Sequence, residues 1–193
     1  SSTIPLQRLG PSIRLSIAFF CFALLFLALA GLLPAYLVGH RGLTAAEAGR
    51  IVAVATAFGI AGSLLAARMM PRGVSPGRLT AAGLMASTTI AAFAFSAAAP
   101  LPLAVAGFTL SFALGGLVPA ATFASVPRLA ADASAIGPIN GLVAQAGSLG
   151  SLAGPPLLAL WVGWAGWSLA PVLLLAIAAI GAASALAIAP PRS

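Results

Sequence analysis

The stretch GSLGSLAGPP, residues 147–156, decides how this chain is read. Three glycines and two prolines interrupt a run that is otherwise apolar enough for a membrane helix. In water both residue types weaken helices. In lipid, helices associate by close backbone approach rather than by hydrophobicity, and small residues become an asset. Gly147, Gly150 and Gly154 follow an i, i+3, i+7 spacing and share one helix face. Gly150 and Gly154 form a GxxxG pair, and Gly147 with Ser151 a small-xxx-small pair. Pro155 and Pro156 withdraw amide donors from carbonyls one turn back, near Ser151 and Leu152, which predicts a bend. Two readings follow: a packing face for another helix, or a helix that bends as a gate. Gly115, Gly116 and Pro119 repeat the theme, as do Gly59, Gly62 and Ser63.

Composition sets the solvent. The 193 residues are 61% hydrophobic and only 6% charged, with a mean hydropathy of +1.13. A soluble domain carries about 25% charged residues. So few charges cannot cover a globular surface, and the outer surface is expected to face lipid. The net charge of +7 comes from nine arginines against Glu47 and Asp132. These arginines fall in short gaps between apolar runs, which marks topology rather than nucleic-acid binding. The single cysteine, Cys21, lies in an apolar run and is expected to pack as a small hydrophobe. Abundant alanine and the absence of lysine hint at a GC-rich bacterial source.

Six stretches are long and apolar enough to predict spanning helices: roughly 13–38, 47–67, 79–98, 101–124, 136–161 and 168–189. They form one all-α domain over 1–193. Strands are not expected, because no run alternates apolar with polar. The run Ile13–Ala30 continues through Leu32–Val38 without a cleavage pattern and reads as a retained span. An even number of spans places both termini on one side, together with Arg8, Arg14, Arg68, Arg72, Arg78, Arg128 and Arg192; Arg41 and Arg50 lie opposite. That bias predicts cytoplasmic termini in a bacterial inner membrane. Trp161, Trp164 and Trp167 cluster at the other face, at headgroup level.

The segments GRIVAVATAFGIAG (49–62) and GLVAQAGSLGSLAG (141–154) both run glycine to glycine over the same interval. Each follows a span bearing a proline, Pro34 or Pro119. The pairing relates spans three apart and predicts a 3+3 inverted repeat, a feature of secondary transporters.

The stretch PAATFASVPRLAADASAIGPINGLVAQAGSLGSLAGPP (119–156) resembles the tenth-to-eleventh helix region of bacterial members of the major facilitator superfamily (MFS). LPAYLVGHRGLTAAEAGRIVAVATAFGIAGSLLA (33–66) similarly resembles their seventh and eighth helices. The chain thus looks like the C-terminal six-helix half of such a transporter. One departure stands out: the loop RMMPRGVSPGR keeps Arg68, Arg72 and Arg78 but lacks the acidic residue of the family's signature loop. The resemblance implies a secondary active transporter working by alternating access, with solute bound near the midplane. It implies, as partner, an N-terminal six-helix half or a second chain. The alternatives are a six-helix protein that pairs with itself and a non-transporting membrane scaffold.

Gln145 and Asn140 are the first candidates for a solute cavity, because an amide in lipid is costly unless it faces protein or water. Asn140 could instead cap its helix. Thr56, Thr109 and Ser111 are further candidates, although such hydroxyls often bond back to their own helix. Tyr36 reads as a substrate contact or an interfacial anchor. Thr44 and Glu47 form a capping-box pattern. Asp132 is expected to pair with Arg128 at i, i+4 spacing, and His40 to be a solvated loop residue. One His, one Cys and two loop carboxylates supply neither a metal site nor a catalytic triad, so no cofactor, metal or enzymatic activity is expected. No Walker loop points to ATP. The few neutral cavity groups lean against a strongly charged solute.

Overall fold

The computed structural model describes residues 6–96, 98–130 and 132–188. Arg192, the side chain of Arg8 and the end of the last expected span at residue 189 lie outside the described residues. The regular structure of the described residues is helical: α1 (Leu6–Arg41), α2 (Ala45–Ala57), α3 (Gly59–Met69), α4 (Pro76–Ala94), α5 (Leu101–Gly115), α6 (Leu117–Leu129), α7 (Ala133–Ala165) and α8 (Ala170–Leu186). Short 3-10 turns at Met70–Arg72 and Trp167–Leu169 complete it.

Local chemistry sets the starts. Thr44 Oγ accepts from the Glu47 amide while the Glu47 carboxylate accepts from the Thr44 amide, a complete capping box at α2. Ser75 caps α4, with Pro76 in its first turn. Asp132 Oδ1 accepts from the Ser134 amide at 2.8 Å and opens α7. At the far end of α7, Gly166 at φ +78 reverses the chain in a conformation other residues avoid.

The helices gather around α1, which packs along α7 and also touches α8, α2, α6 and α5. On the other side α4 packs on α8, α5 and α6. Leu33, Leu37, Leu84, Phe108, Val118, Leu158 and Leu174 are fully buried in between.

The expectation of six spans in a 3+3 inverted repeat is not met. Among the described residues four segments are long and apolar enough to cross a membrane: Leu9–Arg41, Ala45–Arg72, Leu101–Leu129 and Trp167–Leu186. Helices α4 and α7 are not among them. Threonines, serines and Arg78 dilute α4, and Asn140, Gln145, serines, glycines and prolines dilute α7. The repeat fails on the same ground. It would pair Ala45–Arg72 with α7 and α4 with the last helix, yet each pair joins an apolar segment to a diluted one. The interruptions differ as well: Phe58 separates α2 from α3 and Gly116 separates α5 from α6, whereas α1 and α7 run unbroken. The described residues therefore hold four membrane-length apolar segments, the mark of a membrane protein, and two more polar helices, α4 and α7.

α7 continues as one helix through Pro138, Pro155 and Pro156, as the expected stretch 136–161 requires. One further expectation changes. Asp132 does not pair with Arg128; its carboxylate is taken by the Ser134 amide and hydroxyl. Those bonds, the hydroxyl first, hold its pKa below the usual 3.8.

Candidate functional site

The glycine face of residues 147–154 turns against α1. A methyl group at Gly150 would run into the Phe20 carbonyl, one at Gly154 into the Leu24 carbonyl, and one at Gly147 into the Phe19 ring. All three glycines are buried. Pro155 lies next to Gly31 at the far end of the same seam. This is the close backbone contact that small residues permit between helices in lipid. It also places this part of α7 at the depth of the spanning segment Leu9–Arg41.

Asn140, Ala144, Gln145 and Ser148 are exposed on α7. Gln145 lies opposite the glycines, beside the exposed Leu149 and Leu152, whereas Asn140, seven residues before Gly147, lies at the edge of the glycine face. Ser148 donates to the Ala144 carbonyl of its own helix. Neither amide has a hydrogen-bond partner among the described residues. Asn140 is not a cap: the helix begins at Ala133 and Asp132 holds that role. An unbonded amide on a helix packed along a membrane span is costly against lipid, which offers no hydrogen bonds.

A second feature is a crossing of interrupted helices. Gly59 and Gly62, at the start of α3, meet the α5–α6 junction so closely that a methyl at Gly62 would hit the Ala113 carbonyl and one at Gly116 the Gly59 carbonyl. Ser63 Oγ donates to the Gly116 carbonyl at 2.9 Å. The Gly116 interruption has a cause in Pro119, whose missing N–H leaves the carbonyl four residues back, on Gly115, without its helical donor. Just before Phe58, the Thr56 hydroxyl donates back to the Val52 carbonyl of its own helix at 2.9 Å.

The remaining candidates lie elsewhere. Thr109 donates to the Val105 carbonyl of its own helix at 2.9 Å. Ser111 is buried and borders a cavity of about 20 Å³ between α1, α4 and α5, with Phe22, Phe26 and Thr88. That is room for about one water. Arg68, Arg72, Arg78 and Arg128 are exposed, and Arg72 donates to the Arg68 carbonyl.

Sequence reading missed one constellation. Arg41, in the last turn of α1, donates to the Ala99 carbonyl at 2.9 Å and the Ser96 carbonyl at 2.8 Å, and its Nε to the Tyr36 hydroxyl at 3.2 Å. Tyr36 in turn donates to the Phe95 carbonyl. Tyr36 is therefore a buried core residue, in an aromatic cluster with Phe95, Phe108 and Trp167, and His40 stacks on it. At the other end of α1, Arg14 donates to the Ala187 carbonyl at 2.5 Å. Each arginine thus supplies donors at a helix C-terminus, α4 or α8, where carbonyls lack helical partners and a cation suits the dipole. The one hint in the sequence is an arginine set within an apolar helix.

Among the described residues no group of His, Cys, Asp and Glu could hold a metal. Comparison with known proteins gives no match: no family model and no curated protein sequence aligns with the chain.

Proposed function

We propose that the chain is part of a secondary active transporter that moves a small neutral solute across a bacterial inner membrane by alternating access, with Gln145 and Asn140 facing the solute path. The observation that carries this reading is the pair of exposed α7 amides, Asn140 and Gln145, with no hydrogen-bond partner among the described residues. A helix seamed to a membrane span and bearing exposed, unbonded amides suits the wall of an aqueous path, since such amides are costly in lipid. The same polar residues are what keep α7 out of the set of apolar spans. The crossing of interrupted helices at Gly59 and Gly116 supports the reading, since discontinuous helices recur at transporter sites. The resemblance of residues 119–156 to the major facilitator superfamily points the same way. A path needs a second wall, so a further helical segment, in the same polypeptide or a second chain, faces α7. The chain catalyses no reaction and needs no cofactor. The arginine-rich end, with both termini, is cytoplasmic.

The test is cysteine accessibility. In a Cys21→Ser background, Gln145→Cys in native membranes is expected to react with a water-soluble methanethiosulfonate, and a solute on the path is expected to slow that reaction. Screening sugars, amino acids and neutral drugs for such protection reads out the solute class. Reaction of Gln145→Cys with lipid-soluble maleimides alone would overturn the reading.

A further inference from the structure

We propose that a cavity at the arginine-rich end of the bundle is a binding site for the phosphodiester headgroup of an anionic phospholipid. The cavity, about 450 Å³, lies where the first turn of α4 meets the last turns of α6 and α8. Its polar lining is Ser75, Ser125 and the two arginines Arg78 and Arg128. Its apolar lining includes Leu129, Leu186 and Ile188.

The charges are one-sided. No carboxylate lines the cavity. Asp132, the acidic residue nearest in sequence, is committed to Ser134. Neither guanidinium has a hydrogen-bond partner among the described residues. Two unpaired guanidinium forks in one concavity suit an oxyanion, because each can donate a parallel pair of hydrogen bonds to phosphate oxygens. The positive end of the α4 dipole, at Pro76 and Gly77, adds to the same field.

The apolar part of the lining selects the source of the phosphate. Gly77 brings α4 onto α8 so closely that a Cβ there would lie 2.8 Å from the Ala185 carbonyl. The next α8 residue, Leu186, is 60% exposed on a segment long and apolar enough to span the membrane. A soluble phosphate would use only the guanidinium part. A phospholipid uses both, with its headgroup on Arg78 and Arg128 and its acyl chains past Leu186 and Ile188. The site is independent of solute transport.

Native mass spectrometry of the full protein in mild detergent, offered equal phosphatidylglycerol and phosphatidylcholine, tests this. Phosphatidylglycerol is expected to be retained in preference. Arg78→Ala with Arg128→Ala is expected to weaken its retention about 30-fold, taking roughly fivefold for each arginine near an anionic lipid. Arg68→Ala with Arg72→Ala removes the same net charge outside the cavity and should leave retention nearly intact. Arg78→Lys with Arg128→Lys keeps the charge but loses the fork and should recover part of the binding, which separates lost charge from lost fold. Equal losses in the two alanine pairs, no preference between the lipids, or failure of the lysine pair would overturn the proposal. Release of the lipid by millimolar inorganic phosphate would overturn the lipid assignment in favour of a soluble anion.

Discussion

Arg41 shows how one residue can join two helices. Its guanidinium bonds carbonyls at and beyond the end of α4, and its Nε bonds a buried tyrosine. Hydrogen bonds to a charged group contribute about 1.5–3 kcal/mol each at best, and part of the group is wet here. Arg41→Ala is therefore expected to cost about 2–3 kcal/mol, read as a lowered midpoint of thermal unfolding followed by tryptophan fluorescence. Arg41→Lys should recover only part, because an ammonium cannot reach several carbonyls with a planar fork. Asp132 supplies a pH-dependent counterpart. Its folded pKa lies below the unfolded one, chiefly through the Ser134 hydroxyl and then the Ser134 amide. The carboxylate cap therefore stabilises fully above the ordinary aspartate range, and that contribution fades as pH falls through the lowered value. Amide exchange in the first turn of α7 should accelerate as pH falls below 3.8, after correction for intrinsic exchange. Asp132→Asn should flatten that profile.

At the scale of elements, the α1–α7 seam separates close-packed glycines from idle ones. Gly150→Ala puts a methyl against the Phe20 carbonyl and must push the helices apart. Overpacking of this kind costs about 1–3 kcal/mol. Gly141, in the same helix, has no neighbour within 4 Å of an added Cβ. Gly141→Ala should instead stabilise by about 0.5–1 kcal/mol. Parallel unfolding curves in detergent would check the contrast, and equal effects would refute the seam. Helix positions were largely legible: the expected stretch 101–124 lies within α5 and α6, and 136–161 within α7. Apolar runs end at Gly, Pro and capping residues, and those signals are local. Spanning character was not legible in the same way, because polar residues scattered along α4 and α7 dilute them without shortening them. The interruption at Phe58 was missed because no proline marks it; it coincides with the crossing of α5–α6 at Gly116. Asn140 and Gln145 were legible as unusual residues. Arg14 and Tyr36 were not, because their partners, Ala187 and Phe95, lie far along the chain.

At the scale of the whole molecule, charge is polarised. Arg68, Arg72, Arg78 and Arg128 share one end, and Arg41 and Arg50 flank the loop at the other. If the rich end is cytoplasmic, Ser75→Cys in a Cys21→Ser background should resist an impermeant thiol reagent in intact cells and react after permeabilisation, whereas Thr44→Cys should react at once. The reverse pattern would invert the topology. The seam between α1 and α7 also bears on the order in which the protein is made. Phe20 and Leu24 emerge from the ribosome more than a hundred residues ahead of Gly150 and Gly154. At about 5–20 residues per second, the first helix waits roughly 6–25 s for its main partner. Over that interval the groove at Phe20 and Leu24 faces lipid or a membrane chaperone, and Arg14 has yet to meet the Ala187 carbonyl, which arrives later still. A chain stalled before residue 147 would display an unmatched α1, a natural signal for a protease that surveys newly inserted membrane proteins.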